Sequence, residues 1–218
     1  NSKISGLEAL KTADLMVDAG RRQDRATQDK HDDTLGVYTP ILKGFLTELG
    51  LEAANLGMQV FGGHGYIHEH GMEQIARDAR IATLYEGTTG IQALDLLGRK
   101  VLLGTRGKCV RDFSRIMLRS AKAHWLAHGS IGRMARSTAK RAIEWNLLTL
   151  RIMRRVGKDR DLVGSASVDY LMYSGYVMMA HFWVRQAAVA QTFLRNGKGA
   201  ESAEFYRAKI QTAEFYFD

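Results

Sequence analysis

Proline occurs once in this 218-residue sequence, at Pro40. Because proline removes a backbone donor and clashes inside a helix, its near absence favours long uninterrupted helices. Good helix formers such as alanine, leucine, arginine and methionine are frequent, and 45% of the residues are hydrophobic. Apolar residues recur at spacings of three and four, and no alternating strand pattern of useful length is found. We therefore predict an all-α fold.

Polar and glycine-rich segments divide the first half of the chain. We predict one helix over residues 4–28, a connector with the sequence KHDDTLGVYT at 30–39, and a new helix whose first turn contains Pro40. This second helix carries an apolar stripe and ends at a cluster of three glycines. The stripe is Ile41, Phe45, Leu49, Ala53, Leu56 and Val60, and the glycines are Gly62, Gly63 and Gly65.

Two further helices are predicted before residue 104. A short one runs from about Met72 to Arg80, and another begins near Thr89. The second of these has an apolar side that we expect to face inward. That side consists of Ile91, Leu94, Leu97, Val101 and Leu102.

The sequence GTRGK at residues 104–108 is the best candidate for a domain boundary. It separates a unit at 1–103 from a second helical unit at 104–218. In the second unit, helices are predicted at 109–127, 131–156, 163–195 and 200–217. The first residue is not methionine, and the last stretch stops on an amphipathic pattern without a cap. We therefore expect both ends to be truncated relative to a longer protein.

Cysteine usage and hydropathy limit the cellular context. The single cysteine, Cys109, excludes an internal disulfide and fits a reducing compartment. The polar N-terminus shows no secretory signal. The longest nearly uncharged run, at residues 170–184, is shorter than the roughly 20 residues of a membrane-spanning helix. We predict a buried helix there and no integral membrane segment.

Positive charge is concentrated between Arg106 and Arg160, where 15 lysines and arginines face only 3 acidic residues. Such a stretch can bind nucleic acid, an anionic membrane or a phosphorylated ligand. The alternative is a solvated helix surface whose acidic partners lie outside this chain, and we prefer it.

The informative region for chemistry is residues 57–92. Glu86 lies at a break between two helical patterns, with Leu84 and Tyr85 before it and Gly87 after it. An apolar wall would make its carboxylate a stronger base, and Gly87 would let a ligand approach it. The residue types alone leave two readings open, a solvated loop glutamate and a general base.

Glycines and threonines in the same region suggest contacts to an anionic ligand. Exposed N–H groups in a glycine turn can hold phosphate. A threonine before Gly90 can cap a helix whose first N–H groups have no internal partner. A structural turn and an empty capped helix remain open as alternatives.

Other chemistry is not expected. His64, His68 and His70 lie close together in sequence, but no second cluster of ligands accompanies them, and we predict no metal site. The serines lack a Gly-x-Ser-x-Gly elbow, and Cys109 has no obvious base partner.

Three motifs, QVFGGHGY, RDARI and LYEGTTGIQ, resemble in order and spacing the C-terminal α-domain of the acyl-CoA dehydrogenase family. The resemblance is close over residues 35–103. Residues 104–218 look like the extra helical region of the subgroup that includes 3-methylmercaptopropionyl-CoA and broad-range fatty acyl-CoA dehydrogenases. The resemblance thus implies the family's C-terminal helical bundle followed by an additional helical unit.

The resemblance also implies roles for single residues. Glu86 would be the catalytic base that removes the α-proton of an acyl-CoA thioester, while FAD accepts the β-hydride and trans-2-enoyl-CoA forms. Tyr85 and Gly87 would border the substrate. Residues at the two glycine-containing turns would contact FAD, part of them across a subunit interface. These are Gln59, Gly62, Gly63, Thr88, Thr89 and Gly90. Many family members carry glutamine at the position of Gly90, so a side-chain contact to the cofactor is lost there.

The implied partners follow from the same resemblance. They are an acyl-CoA substrate, a second subunit in a homodimer or larger assembly, and an electron-transferring flavoprotein as acceptor, in the bacterial cytoplasm or in the mitochondrial matrix. These 218 residues alone are expected neither to hold FAD tightly nor to turn over substrate. We assign the basic helices of 104–218 a structural role. DNA binding, or a helical module for oligomerisation or membrane association, is the alternative.

Overall fold

The computed structural model describes residues 2–127, 129–159, 161–197 and 199–218, with side chains described from residue 10 onward. Nearly all of these residues are helical and none of them forms a strand, so the predicted all-α class is confirmed. The α-helices are α1 (Ser2–Arg21), α2 (Arg25–Phe61), α3 (Gly63–Tyr66), α4 (Met72–Ala82), α5 (Thr89–Leu94), α6 (Lys108–Ala123), α7 (Ser130–Val156), α8 (Leu162–Asn196) and α9 (Ala203–Phe217). A 3₁₀ turn spans His68–His70, and a π-helical segment, Asp95–Gly104, continues α5.

The predicted connector and the predicted helix start at Pro40 are wrong, because α2 runs through both as one helix of 37 residues. The chain breaks earlier, after Arg21, and α2 begins where the Asp24 side chain accepts from the backbone N–H of Thr27 at 3.1 Å. Pro40 is buried inside the helix. Burial of the neighbouring turns against other helices outweighs the local cost of the proline, since tertiary packing overrides propensity.

The apolar stripe of α2 is buried only in its first half. Ile41 and Phe45 are almost fully buried, whereas Leu56 and Val60 are exposed. Periodicity identifies the apolar face of a helix, but it does not say whether another element covers that face. The exposed half of α2 leads into the glycine-containing turn.

The inward side predicted for the helix after Thr89 is also partly wrong. Leu97 and Val101 are fully buried, but Ile91 and Leu94 are exposed. Ile91 and Leu94 lie in α5, before the π-helical segment begins, and the buried residues Ala93, Leu97 and Val101 follow one another at the ordinary helical spacing of four. The predicted set therefore combines residues from two faces of the helix. In the structure the buried side includes Ala93 and Leu96 instead.

One hydrophobic core joins both halves of the chain. Residues from α2, the π-helical segment, α6, α7 and α8 pack together, with Trp145 of α7 and Tyr170 of α8 among the largest fully buried side chains. A second cluster links α6, α7, α8 and α9. The helix bounds after residue 104 agree with the predicted ones within a few residues, and the run 170–184 lies in α8 with most of its residues buried. The division at 104–108 stays a prediction.

Helices α2 and α8 approach each other closely at Gly175. A Cβ at this position would lie 2.2 Å from the ring of Phe45, so only glycine fits. Phe45 also contacts Tyr176 edge-on, with 4.9 Å between ring centroids. This contact fixes the middle of α2, from which the helix reaches the candidate site.

Candidate active site

The turn between α4 and α5 contains two successive residues with positive φ. Glu86 has φ 52° and Gly87 has φ 91°. The left-handed region is uncommon for a residue with a side chain, and such a residue persists only where its surroundings hold it. The conformation of Glu86 therefore marks this turn as a place where local backbone preference has been overridden.

Side chains from two helices hold the turn. Gln92 of α5 donates from Nε2 to the backbone carbonyl of Glu86 at 3.2 Å. A Cβ on Gly87 would lie 2.7 Å from the same Nε2, so the amide packs directly under the turn. Lys43 of α2 donates from Nζ to the carbonyl of Ala82 at 2.6 Å and lies 5.5 Å from the centre of the Tyr85 ring. These contacts tie the turn to α2 and α5.

The Glu86 side chain itself is exposed and makes no hydrogen bond or ion pair with any residue that the structure describes. The expected apolar wall is not formed within the described chain, because Leu84 and Tyr85 are about half exposed as well. What the arrangement provides is a carboxylate on a fixed backbone, accessible to a ligand from outside.

The start of α5 has the predicted cap. The Thr88 hydroxyl accepts from the backbone N–H of Ile91 at 3.4 Å. Thr89 donates its hydroxyl hydrogen to Oε1 of Glu48 on α2 at 2.5 Å, which joins the two helices. At Gly90 a Cβ would meet open space, so nothing within the described residues requires glycine there.

The remaining predicted contacts lie at the end of α2. Gly62 follows the helix with φ 60°, and its N–H donates to the carbonyl of Gln59 at 3.1 Å. Both Gly62 and Gly63 are exposed and have open space beside the Cα atom. Their backbone is therefore open to close approach by a ligand.

An open groove of about 760 Å³ runs between α2, α5 and α8. The structure brings Gln59 and Thr89 together in its lining, along with the carboxylates of Glu48 and Glu52, but Glu86 is not part of that lining. Sequence reasoning missed Lys43, Glu48 and Gln92, which hold the turn and α5. Gln92 has the pattern of a polar helix face, and no short-range pattern signals a contact from α2 to a turn about 40 residues later.

The histidine-rich turn contains ring contacts. His64 and His70 meet edge-on with 5.2 Å between ring centroids, and Nδ1 of His68 lies 3.0 Å from Oε1 of Glu73. Within the part of the chain that the structure describes, no three histidine, cysteine or acidic side chains are placed to hold a metal ion. Cys109 is buried, burial raises the pKa of its thiol, and Thr105 donates to its Sγ at 2.8 Å.

The basic stretch lies on α6 and α7, and some of its acidic partners belong to this chain. Asp112 pairs with Lys108 at 3.6 Å and with Arg115 at 2.8 Å, and Arg133 reaches Asp218 at 3.2 Å. The expectation that the partners lie outside the chain is therefore wrong for these residues. All of the pairs are solvated, so each contributes little to stability.

Comparison with known proteins identifies the family. Residues 10–102 match the acyl-CoA dehydrogenase C-terminal domain, and residues 110–218 match the family described as acetyl-CoA dehydrogenase C-terminal like. The chain therefore belongs to the acyl-CoA dehydrogenase family and carries its C-terminal helical region. The resemblance read from the three motifs is confirmed.

Several curated proteins are similar to the chain. The 3-methylmercaptopropionyl-CoA dehydrogenase of Ruegeria pomeroyi is 36% identical over 81% of this chain and 29% of its own length. The broad-specificity linear acyl-CoA dehydrogenase FadE5 of Mycobacterium tuberculosis is 29% identical over 81% of this chain and 30% of its own length. A butyryl-CoA dehydrogenase of Syntrophomonas wolfei is 33% identical over 41% of this chain and 14% of its own length. The chain thus spans less than a third of these relatives.

Helix length and polarity also decide whether a chain can cross a bilayer. Among the residues that the structure describes, each helix is either too short or too polar for such a crossing.

Proposed function

We propose that the chain is the C-terminal part of an enzyme that oxidises an acyl-CoA thioester to the trans-2-enoyl-CoA, with Glu86 as the catalytic base. The observation that carries the proposal is the turn itself, in which a strained backbone presents an unpaired, accessible carboxylate next to a glycine. The names of the relatives support the reaction class, since all three are acyl-CoA dehydrogenases.

In this proposal the Glu86 carboxylate takes the α-proton of the thioester. That proton is weakly acidic, so the base must be close and the thioester oxygen must be polarised as it gains negative charge. The backbone N–H of Glu86 is the donor that we assign to this oxygen, and such a donor is typically worth about 3 kcal/mol in the transition state. Gly87 and Tyr85 border the acyl group, and glycine at position 87 permits the positive φ of the turn and the close packing of Gln92 beneath it.

FAD is the hydride acceptor implied by the family. The residues present fit its polar parts, because the backbone at Gly62 and Gly63 is open to close approach and the first turn of α5 has N–H groups without an intrahelical partner. The N–H of Gly62 already donates to Gln59, so the donors that we assign to phosphate are those of Gly63 and of the residues after Thr88. The groove lined by Gln59 and Thr89 also contains two carboxylates, which disfavour phosphate there. We therefore assign that groove to the hydroxyl-bearing parts of FAD. When bound, FAD supplies the acceptor for the β-hydride.

A second subunit is part of the proposal. Leu56, Val60 and Phe61 are exposed around Gln59, and exposed clusters of large apolar residues commonly mark interaction sites. We assign this surface to a homodimer or larger assembly in which the Gln59–Gly63 segment reaches the cofactor of a neighbouring subunit. An electron-transferring flavoprotein remains the proposed acceptor, and the bacterial cytoplasm the proposed location.

The decisive experiment replaces Glu86 in the full-length enzyme that contains this region. Glu86→Gln keeps the size of the side chain but removes the base, so kcat should fall by about 10²- to 10⁴-fold. The absorbance spectrum of bound flavin should not change, because the substituted amide would leave the cofactor contacts in place. Stopped-flow reduction of the flavin by an acyl-CoA measures the chemical step directly.

The matched control is Glu204→Gln, since Glu204 is exposed on α9 and lies outside the candidate site. It should reduce flavin at the wild-type rate. Normal flavin reduction in Glu86→Gln would refute the assignment of the base. Loss of flavin from this variant would instead indicate a role in cofactor retention.

A further inference from the structure

A second groove, remote from the turn that carries Glu86, lies between the C-terminal half of α8 and the first turns of α9. Its volume is about 290 Å³, near the lower end of the range for small-molecule pockets, which begins at roughly 300 Å³. The apolar part of the lining comes from both helices. It consists of Phe182, Val189 and Ala190 on α8 and Phe205 and Tyr206 on α9.

The floor of this groove is held in place by the loop that joins the two helices. Tyr206 is buried and stacks on Phe193, with 5.1 Å between ring centroids. Its hydroxyl accepts from the backbone N–H of Glu201 at 3.3 Å. A Cβ on Gly199 would lie 2.4 Å from the Tyr206 ring, so the loop passes directly over the ring. The groove is therefore preformed.

Three polar side chains line the same groove and all are hydrogen-bond donors. Nε2 of Gln186 is buried and has no acceptor within the described residues. Arg185 and Lys209 add positive charge, and Nζ of Lys209 lies 5.2 Å from the centre of the Phe205 ring. No carboxylate of the described chain belongs to the lining. A buried donor without an acceptor costs free energy, which an acceptor on a ligand would remove.

We propose that this groove binds a medium-chain carboxylate. The alkyl chain lies against the aromatic and aliphatic walls, and the carboxylate accepts from Gln186 and pairs with Lys209. Arg185, which already has an interaction within the chain, adds positive charge beside them. The combination of an apolar slot with cations and an unpaired donor matches an anionic amphiphile and disfavours a neutral or cationic one. The groove shares no residue with the candidate active site, so the proposal stands independently of the role of Glu86.

The test measures binding of decanoate to the full-length enzyme by isothermal titration calorimetry. Decanol and decylamine serve as neutral and cationic probes with the same alkyl chain. Titrations are run with and without a saturating enoyl-CoA, so that an acyl site elsewhere in the enzyme is occupied in one of the two series. We expect one decanoate per chain in both series, with decanol and decylamine binding at least about tenfold more weakly, because both lack the charge-assisted contacts.

Two variants assign the binding to this groove. Lys209→Met keeps the length of the side chain and should weaken decanoate binding by up to about fivefold, the size expected for one partly exposed ion pair. Ala190→Met fills the groove and should abolish binding. Lys140→Met is the control, because Lys140 is exposed on α7 and does not line the groove. Circular dichroism of each variant verifies that the helices are retained.

The proposal is overturned if decanoate does not bind, which would also be the result if another part of the enzyme covers the groove. It is equally overturned if decanol binds as tightly as decanoate, or if Lys209→Met and Lys140→Met are indistinguishable. Because Lys209 is partly exposed, its replacement tests the proposal even if Ala190→Met fails to fold.

Discussion

The turn around Glu86 and the contact between α2 and α8 are built in opposite ways, although α2 contributes to both. At the turn, an exposed side chain stands on a backbone with positive φ that a few hydrogen bonds from Gln92 and Lys43 hold in place. At the contact, Phe45 is almost fully buried against Gly175 and needs no polar partner. The turn is held by a few individual hydrogen-bond donors, whereas the contact between α2 and α8 is held by close packing of buried atoms.

Because of this difference, we expect the turn to affect the reaction and the contact between α2 and α8 to affect the stability of the fold. Strained, accessible residues are typical of functional sites, and the surrounding structure must supply the free energy that holds them. A variant in the α2–α8 contact should therefore lower the free energy of unfolding, whereas a variant at the turn should change kinetics while the protein remains folded. The following experiments test that separation.

The largest effect on stability is expected for Phe45→Ala in the full-length enzyme. Removal of a buried phenylalanine leaves a cavity and typically costs about 3–5 kcal/mol. Chemical denaturation measures this loss. Below the unfolding transition the variant should still reduce its flavin at nearly the wild-type rate.

Phe215→Ala provides the control for this variant, because Phe215 is 84% exposed and its removal leaves no cavity. Its free energy of unfolding should be close to that of the wild type. If Phe45→Ala remained folded but lost flavin reduction as completely as Glu86→Gln, the core and the turn would not be separable.

The next largest effect on stability is expected from acid, which should lower the free energy of unfolding. His181 is buried between aromatic rings of α6 and α8, and burial, with a smaller contribution from Arg185, lowers its pKa to about 4. The unfolded chain binds a proton near pH 6.5, and the folded chain does so only near pH 4. The stability that neutral His181 contributes is thus complete above about pH 6.5 and is lost as the pH falls from there to about 4. The loss amounts to about 3 kcal/mol.

The measurement is the free energy of unfolding as a function of pH. His181→Phe, which keeps an aromatic ring but cannot titrate, should lose less stability than the wild type over this interval. An equal acid sensitivity of both proteins would show that other groups cause it.

Much of the fold could be predicted because it depends on patterns within single helices. The bounds of α7 and α8 agree with the periodicity to within a few residues, and Thr88 caps α5 as a threonine before an apolar run suggests. The predicted helix start at Pro40 is wrong, because Pro40 lies inside α2. The preference of proline for the first turn of a helix is a local rule, whereas the course of α2 depends on its packing against other helices. The π-helical segment is not predicted either, because its apolar spacing in the sequence resembles that of an ordinary α-helix.

The sequence motifs of the candidate site could be recognised, but the contacts between its residues could not be predicted. The position of Glu86 before a glycine is visible in the sequence, yet its positive φ and its exposed side chain are not. The hydrogen bond from Lys43 to Ala82 joins residues far apart in the chain, and a single sequence contains no signal for such a pair. The roles of the site residues stay predictions until the variants are measured.

The smallest and most specific effect concerns the donor under the turn. Gln92→Met keeps the length of the side chain but removes the hydrogen bond to the Glu86 carbonyl, which lies 3.2 Å from Nε2. A hydrogen bond of this kind contributes about 1 kcal/mol to stability, so the free energy of unfolding should fall by no more than that. Misplacement of the carboxylate that costs the same free energy in the transition state would slow flavin reduction by about fivefold. Gln74→Met is the control, because Gln74 also makes a side-chain hydrogen bond but lies on the exposed face of α4.

The free energy of unfolding of Gln92→Met could fall by more than the activation free energy of flavin reduction rises. That result would mean that the amide supports the packing of α5, and that the turn and the core are coupled through this helix. A loss of rate without a loss of stability would instead identify Gln92 as the residue that positions the carboxylate.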